Sequence, residues 1–407
     1  MIRFLASLSL TLSLSLTLQA ADWPQFLGPT RDNATPEVVE QWKGDLKPSW
    51  KMPVGESHSS PVVAGGIVYA FYQPKGKNAD ALAAFDAAKG ELLWEKRYER
   101  PEFRPLFGNG PRSTPAVSGG SVFTLGGTGI LACWNAKTGE IIWKVDTLKE
   151  FNAKNLFFGI STSPIVVEDK VIVMVGGKGA GVVAFDAKTG KTAWQATDDP
   201  ASYSSPAFVD GQLLFLTGSN LRALSVSGEK LWEVPFKDKL NESSTTPIMA
   251  DKLVIASSVT AGSIAERVTK SDGKLSVEQA WKKEKLTCYF STPVVVGKHL
   301  YMINGAATLV NASITLRCVE LETGNVAWEK SGLGKYHAAI IRCGAAGKEK
   351  LLMLDDTGFL SLIEPNAKEF TSLIRTKVCG KTWAHPSLVD GKLYLRDDND
   401  LMCIPLK

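Results

Sequence analysis

Apolar residues in this chain fall into short runs separated by glycine-containing turns, with no sustained three-to-four-residue helical spacing. "PVVAGGIVYAF" from Pro61 and "PAFVDGQLLFL" from Pro206 each hold an apolar run, a turn and a second apolar run. Such pairs predict β-hairpins, and their succession predicts antiparallel sheet. A further turn follows, "GGTG" from Gly126 or "DDTG" from Asp355, and then a third strand. The unit closes in a stretch that recurs as "FDAAKGELLW" (85–94), "WNAKTGEIIW" (134–143) and "FDAKTGKTAW" (185–194). In that stretch the Asp or Asn can accept backbone N–H groups of the turn, and Gly supplies a positive φ. The terminal Trp, on a fourth strand, has the size and regularity to pack flat between neighbouring sheets.

A second mark sets the period. Ser or Thr, one residue, then Pro recurs at Pro61, Pro115, Pro164, Pro206, Pro247 and Pro293, at spacings of 54, 49, 42, 41 and 46. The mark returns as "AHP" at Pro386 after 93 residues, two units, and "HAAI" from His337 fills the gap in degraded form. Eight units of four strands with a period in the forties predict an all-β, eight-bladed β-propeller. Six units end in Trp, at Trp94, Trp143, Trp194, Trp232, Trp281 and Trp328, while the seventh has lost it. The eighth stops after three strands. Its missing fourth strand is expected near Trp50, so that the N-terminal strand completes the last blade and leaves no open edge.

Residues 1–21 read as a secretory signal peptide, with Arg3 before a Leu- and Ser-rich run and small residues at Ala20 and Ala21. The single propeller domain is then 22–407, with 22–52 as the N-terminal segment, in an exported chain, periplasmic or extracellular. No later run is long and apolar enough to be an integral membrane segment. The net charge of +4 is spread along the chain, which argues against a nucleic-acid partner. Of the six cysteines, Cys133, Cys318 and Cys403 fall at matching third-strand positions and read as core residues. Asn33, Asn241 and Asn311 head glycosylation sequons, and "RDDND" from Arg396 reads as a hairpin turn.

The stretch from Ala184 to Trp194 resembles the tryptophan-docking repeat of the pyrroloquinoline-quinone (PQQ) propeller superfamily, which includes quinoprotein alcohol dehydrogenases and the outer-membrane assembly lipoprotein BamB. "DWPQFLGPTRDN" (22–33) is similar to the opening of exported repeat proteins of this kind. The resemblance implies the propeller fold. It brings in PQQ with calcium as a cofactor only under the alternative of a small PQQ-dependent oxidoreductase. The adjacent cysteines of those enzymes are absent here, and their calcium ligands have no matching positions. BamB's lipidated cysteine at the mature start is absent as well. The main expectation is a non-catalytic binding scaffold, a monomer, with a protein, peptide or glycan partner; a BamB-like assembly factor is a second alternative.

In such propellers the residue three before the Pro lies at the inner end of each blade, near the axis. Those positions hold His58, Arg112, Ser161, Tyr203, Ser244, Phe290, His337 and Trp383. A variable ring beside an invariant Ser-x-Pro scaffold is the form a site takes on a repeat. His58, Arg112, Tyr203, His337 and Trp383 are the candidate ligand residues, with Glu242, Tyr289, Tyr336 and His385 beside them. Arg112 is expected to fork onto an anion, and the histidines to strengthen anion binding as pH falls through about 6.5. No catalytic or metal-ligating set is expected. A wet channel lined by polar groups without any ligand is the competing reading.

Overall fold

The computed structural model describes residues 22–304 and 312–407, so the signal-peptide reading and the Asn311 sequon lie outside the described residues. Eight antiparallel sheets follow one another around the axis of an eight-bladed propeller. The inner strands of blades 1 to 8 begin at Val62, Ala116, Ile165, Ala207, Ile248, Val294, Ala338 and Ser387. Seven blades take all four strands from consecutive chain. In the eighth, the C-terminal strand Asp400–Pro405 pairs antiparallel with Trp50–Pro53, Trp50 opposite Cys403. Blade 7 also carries a short parallel strand, Ala34–Thr35, beside its inner strand Ala338–Cys343.

The repeated turn explains how blades dock. Asp86 Oδ1 accepts N–H bonds from Ala88 and Lys89, and Asp186 Oδ1 accepts from Thr189. Each turn places a glycine under the indole of the preceding blade. A Cβ would lie 2.3 Å from Trp94 at Gly139, 2.6 Å from Trp143 at Gly190 and 2.7 Å from Trp194 at Gly228. The indoles also reach forward: Trp143 donates to the Ala187 carbonyl and Trp281 to the Leu321 carbonyl. Glycine is therefore required here twice, for positive φ and for close approach.

Two blades depart from the repeat. Blade 5 replaces the Thr-Gly turn with a long hairpin, Gly262–Ser271 and Lys274–Lys283, and Trp232 of blade 4 donates instead to Gln212 of its own sheet. Blade 7 lacks its Trp, and Trp328 meets the edge of Phe370 and donates to the Asn366 carbonyl.

Cys133, Cys318 and Cys403 are buried in third strands, and all six cysteines are free thiols. "RDDND" forms a turn, the Asp397 carboxylate accepting from Asn399 and Asp400 N–H. Asn33 is buried at 1% exposure, which removes that sequon from the surface.

The N-terminal segment does more than close the ring. Trp23, Val39, Trp42, Leu46 and Trp50 join the core shared by blades 1, 7 and 8. Arg31 is buried where blades 3 and 4 begin, its guanidinium donating to the Pro206 carbonyl at 2.7 Å and to the Pro164 carbonyl. No acid pairs with it among the described residues, and burial lowers its pKa to about 9.

Candidate functional site at the propeller axis

Blade spacing at the axis is set by hydroxyl groups. The residue directly before the Pro is itself Ser or Thr in six blades, and in five of them its side chain accepts the backbone N–H of the equivalent residue in the preceding blade; Thr246 Oγ1 has no partner. Ser60 N–H donates to Thr114 Oγ1 at 3.1 Å, Thr114 to Ser163 Oγ at 2.9 Å and Ser163 to Ser205 Oγ at 2.9 Å. Thr246 donates to Thr292 Oγ1 at 3.1 Å, and His385 N–H closes onto Ser60 Oγ at 2.9 Å. Ala339 holds this position in blade 7 and offers no hydroxyl.

Inside this girdle lies a cavity of about 300 Å³. All eight ring positions named from sequence line it, including His58, Arg112, Tyr203, His337 and Trp383, together with Glu242, Tyr289, Tyr336 and His385. Strand pairing supports the assignment in degraded blade 7. Phe290 precedes the Val294–Tyr301 pair by the same interval as His337 precedes the Ile341–Leu352 pair.

Aromatic rings make most of the wall. Trp383 stacks on His58 at 5.2 Å and on Phe290 at 5.7 Å between ring centres, and meets Phe107 at 5.7 Å. Phe158 contacts both Phe107 and Tyr203. Phe26, Phe107, Phe158 and Leu240 were not legible from the repeat, because they lie in the N-terminal segment and in connections between blades. The apolar clusters "FRPLFG" and "NLFFG", unusual for surface connections, were the available signal. The outer rim is apolar too: Leu106 is 59% exposed, Phe107 44%, Phe157 69% and Leu240 49%.

The polar groups are fewer. Arg112 donates through Nη2 to the Leu106 and Gly108 carbonyls, so part of the expected fork is engaged in holding the 101–111 connection. Burial lowers its pKa to about 10. His58 Nε2 lies 2.5 Å from the Phe107 carbonyl on the same connection, and Tyr289 donates to the Glu242 carboxylate.

The histidines correct the expected pH behaviour. Burial, and for His58 also the neighbouring Arg112 charge, lowers His58 and His385 to about 4, and burial depresses His337 well below the usual imidazole value. They are neutral at pH 6.5, so titration there cannot strengthen anion binding. For His337, neutrality and one hydrogen-bond partner together fix where the proton sits. Ser291 Oγ gives its proton to the Ala338 carbonyl at 2.5 Å, so the contact of Ser291 Oγ with His337 Nδ1 at 3.3 Å takes the imidazole proton. His337 Nε2 is then a bare acceptor and has no protein partner. His385 Nδ1 is likewise buried without a partner. Trp383 Nε1 is a buried donor without a partner.

The geometry defines a class: an eight-bladed propeller whose axis encloses an aromatic cavity with unpaired hydrogen-bonding nitrogens. The family model described as outer membrane protein assembly factor BamB matches residues 77–330, more than half of the chain, and the chain belongs to that family. It is 24% identical to BamB of Shewanella oneidensis over 70% of this chain and 72% of that protein. It is 29% identical to the dehydrogenase subunit of a quinone alcohol dehydrogenase from Komagataeibacter europaeus over 40% of this chain, and spans 23% of that relative's length. The crystal structure of BamB from Moraxella catarrhalis superposes with a TM-score of 0.61 at 15% identity, covering 89% of this chain and 98% of that one. The quinohemoprotein alcohol dehydrogenase ADHIIG of Pseudomonas putida gives 0.68 at 15% identity, over 95% and 80%. These structural likenesses show the fold.

PQQ does not fit this site. The quinone carries three carboxylates, and the cavity meets them with one partly engaged guanidinium and with imidazole lone pairs that repel carboxylate oxygens. Among the described residues no group of three His, Cys, Asp or Glu side chains is placed to hold a metal ion beside it.

Proposed function

We propose that this protein is an envelope assembly factor of the BamB kind, exported, which holds polypeptide partners at its propeller face without catalysing a reaction on them. The observation that carries the reading is the extent of the likeness. It runs through most of both chains for BamB and covers less than a quarter of the quinone dehydrogenase subunit. The cavity agrees with that reading, since an apolar rim around an aromatic pocket suits a partner chain better than a buried redox cofactor. No helix among the described residues is long and apolar enough to cross a membrane, so attachment to the envelope would come through partners or a modified terminus. The test is removal of the gene in its native host, with quantitation of β-barrel proteins in the outer membrane. Reduced barrel levels, restored by the wild-type gene, are expected. Unchanged levels overturn the assembly role.

A further inference from the structure

From the unpaired nitrogens of the axial cavity we infer that it is a socket for one aromatic side chain ending in a hydrogen-bond donor, a tyrosine or tryptophan carried on a partner polypeptide. The inference rests on the assembly reading and specifies which feature of the partner is gripped.

Three observations converge. First, the wall is made of flat apolar rings, Trp383, Phe290, Phe107 and Phe158, which suit an inserted ring. Second, His337 and His385 line the cavity at 3% and 6% exposure with ring centres 5.1 Å apart, each has a buried ring nitrogen without a partner, and the bonding of Ser291 makes that of His337 an acceptor. A buried acceptor without a partner is costly, and the group that relieves it must bring an N–H or O–H. A phenol does so and also accepts, which suits the unpartnered Trp383 Nε1–H; an indole donates only. Third, the exposed apolar rim of Leu106, Phe107, Phe157 and Leu240 extends beyond the cavity. A free small molecule enclosed by the cavity would leave that rim uncovered, whereas residues flanking an inserted side chain would cover it. The balance of charge permits an uncharged ring: Glu242 is bonded by Tyr289, and Arg112 is held in part by its own loop.

The experiment uses the full mature chain and short peptides capped at both ends, of the form Gly-Ala-X-Ala-Gly. X is tyrosine, O-methyltyrosine, phenylalanine, tryptophan or 1-methyltryptophan, and binding is measured by calorimetry. Altering the probe leaves the fold of the protein untouched. The tyrosine and tryptophan peptides are expected to bind about ten-fold or more tightly than their methylated or deoxy counterparts, the loss of one buried hydrogen bond. On His337→Leu protein that preference should shrink while the phenylalanine peptide binds as before. Equal affinities across the five peptides, or no binding by any, overturn the socket. That failure leaves the assembly reading standing, because barrel levels in the deletion strain are read independently. Binding of the free side-chain analogues p-cresol and 3-methylindole as tightly as the peptides would also overturn it, by making the ligand a small molecule.

Discussion

The indole of Trp50 lies on the backbone of Gly90: a Cβ at Gly90 would stand 2.6 Å from Trp50 Cδ2, and Trp50 Nε1 donates to the Ala87 carbonyl at 3.0 Å. The contact joins the strand that completes the last blade to the outer turn of the first. It uses the same Trp-on-Gly joint as the seams within the chain, so the ring closes by the mechanism that builds it. Gly90→Ala should cost about 2–5 kcal/mol, from a left-handed φ and an overpacked indole together. Gly65→Ala, also at positive φ but with nothing within 4 Å, should cost only about 1–2 kcal/mol. Urea denaturation of the two variants separates strain from seam packing, and equal losses would remove the joint from the account of closure.

The N-terminal segment offers a second comparison. Repeat logic alone ranks Trp23 below Trp194, because Trp23 lies outside every unit. The structure reverses the order. Trp23 is 3% exposed, bridges to Val63 and packs on Gly28, whereas Trp194 is only half-buried. Trp23→Ala should cost about 3–5 kcal/mol and Trp194→Ala less. Thermal melts that show Trp194→Ala as the more damaging change would place the segment outside the cooperative core.

The contrast marks what a sequence of this kind reveals. Blade number, ring closure and the ring of axial positions were legible because each repeats in register, and repetition makes weak local signals add. The Ser or Thr directly before the Pro in six blades was nearly as periodic, but its role depends on a neighbour one blade away. Arg31 and Phe26 occur once, in a segment without periodicity, so nothing in the chain announced that they reach the axis. The protonation state of His337 and His385 was out of reach for another reason: it follows from burial and from single hydrogen bonds, which residue type does not encode.

The hydroxyl girdle yields a third prediction. Ser163→Ala deprives Thr114 N–H of its acceptor in a buried setting, at a cost of about 1–3 kcal/mol. Ser163→Thr retains an oxygen and should lose much less. Hydrogen exchange at the Thr114 amide should speed up in the alanine variant more than exchange in blade 6. Uniform change would show that the bond is dispensable and that only global stability moved.

The last prediction concerns acid. His58 and His385 titrate near 4 in the folded protein, and burial holds His337 well below its usual value, against about 6.5 in an unfolded chain. Between those values the unfolded state binds protons that the folded state refuses, so stability must fall as pH drops from about 6.5 toward 4. Each fully buried imbalance contributes at most about 1.4 kcal/mol per pH unit, and the partly exposed His58 less. Carboxylates complicate the same range. Asp80 and Asp356 have raised values, whose protonation works in the opposite direction. A difference measurement removes them: His385→Asn has no imidazole to titrate there, so its stability should decline less steeply than wild type from pH 6.5 to 5, by up to about 1 kcal/mol per unit. Parallel slopes for the two proteins would mean that His385 titrates in the fold as it does in the unfolded chain. Below about pH 6.5 its Nδ1 would then be a donor and could not receive the proton of a tyrosine or tryptophan.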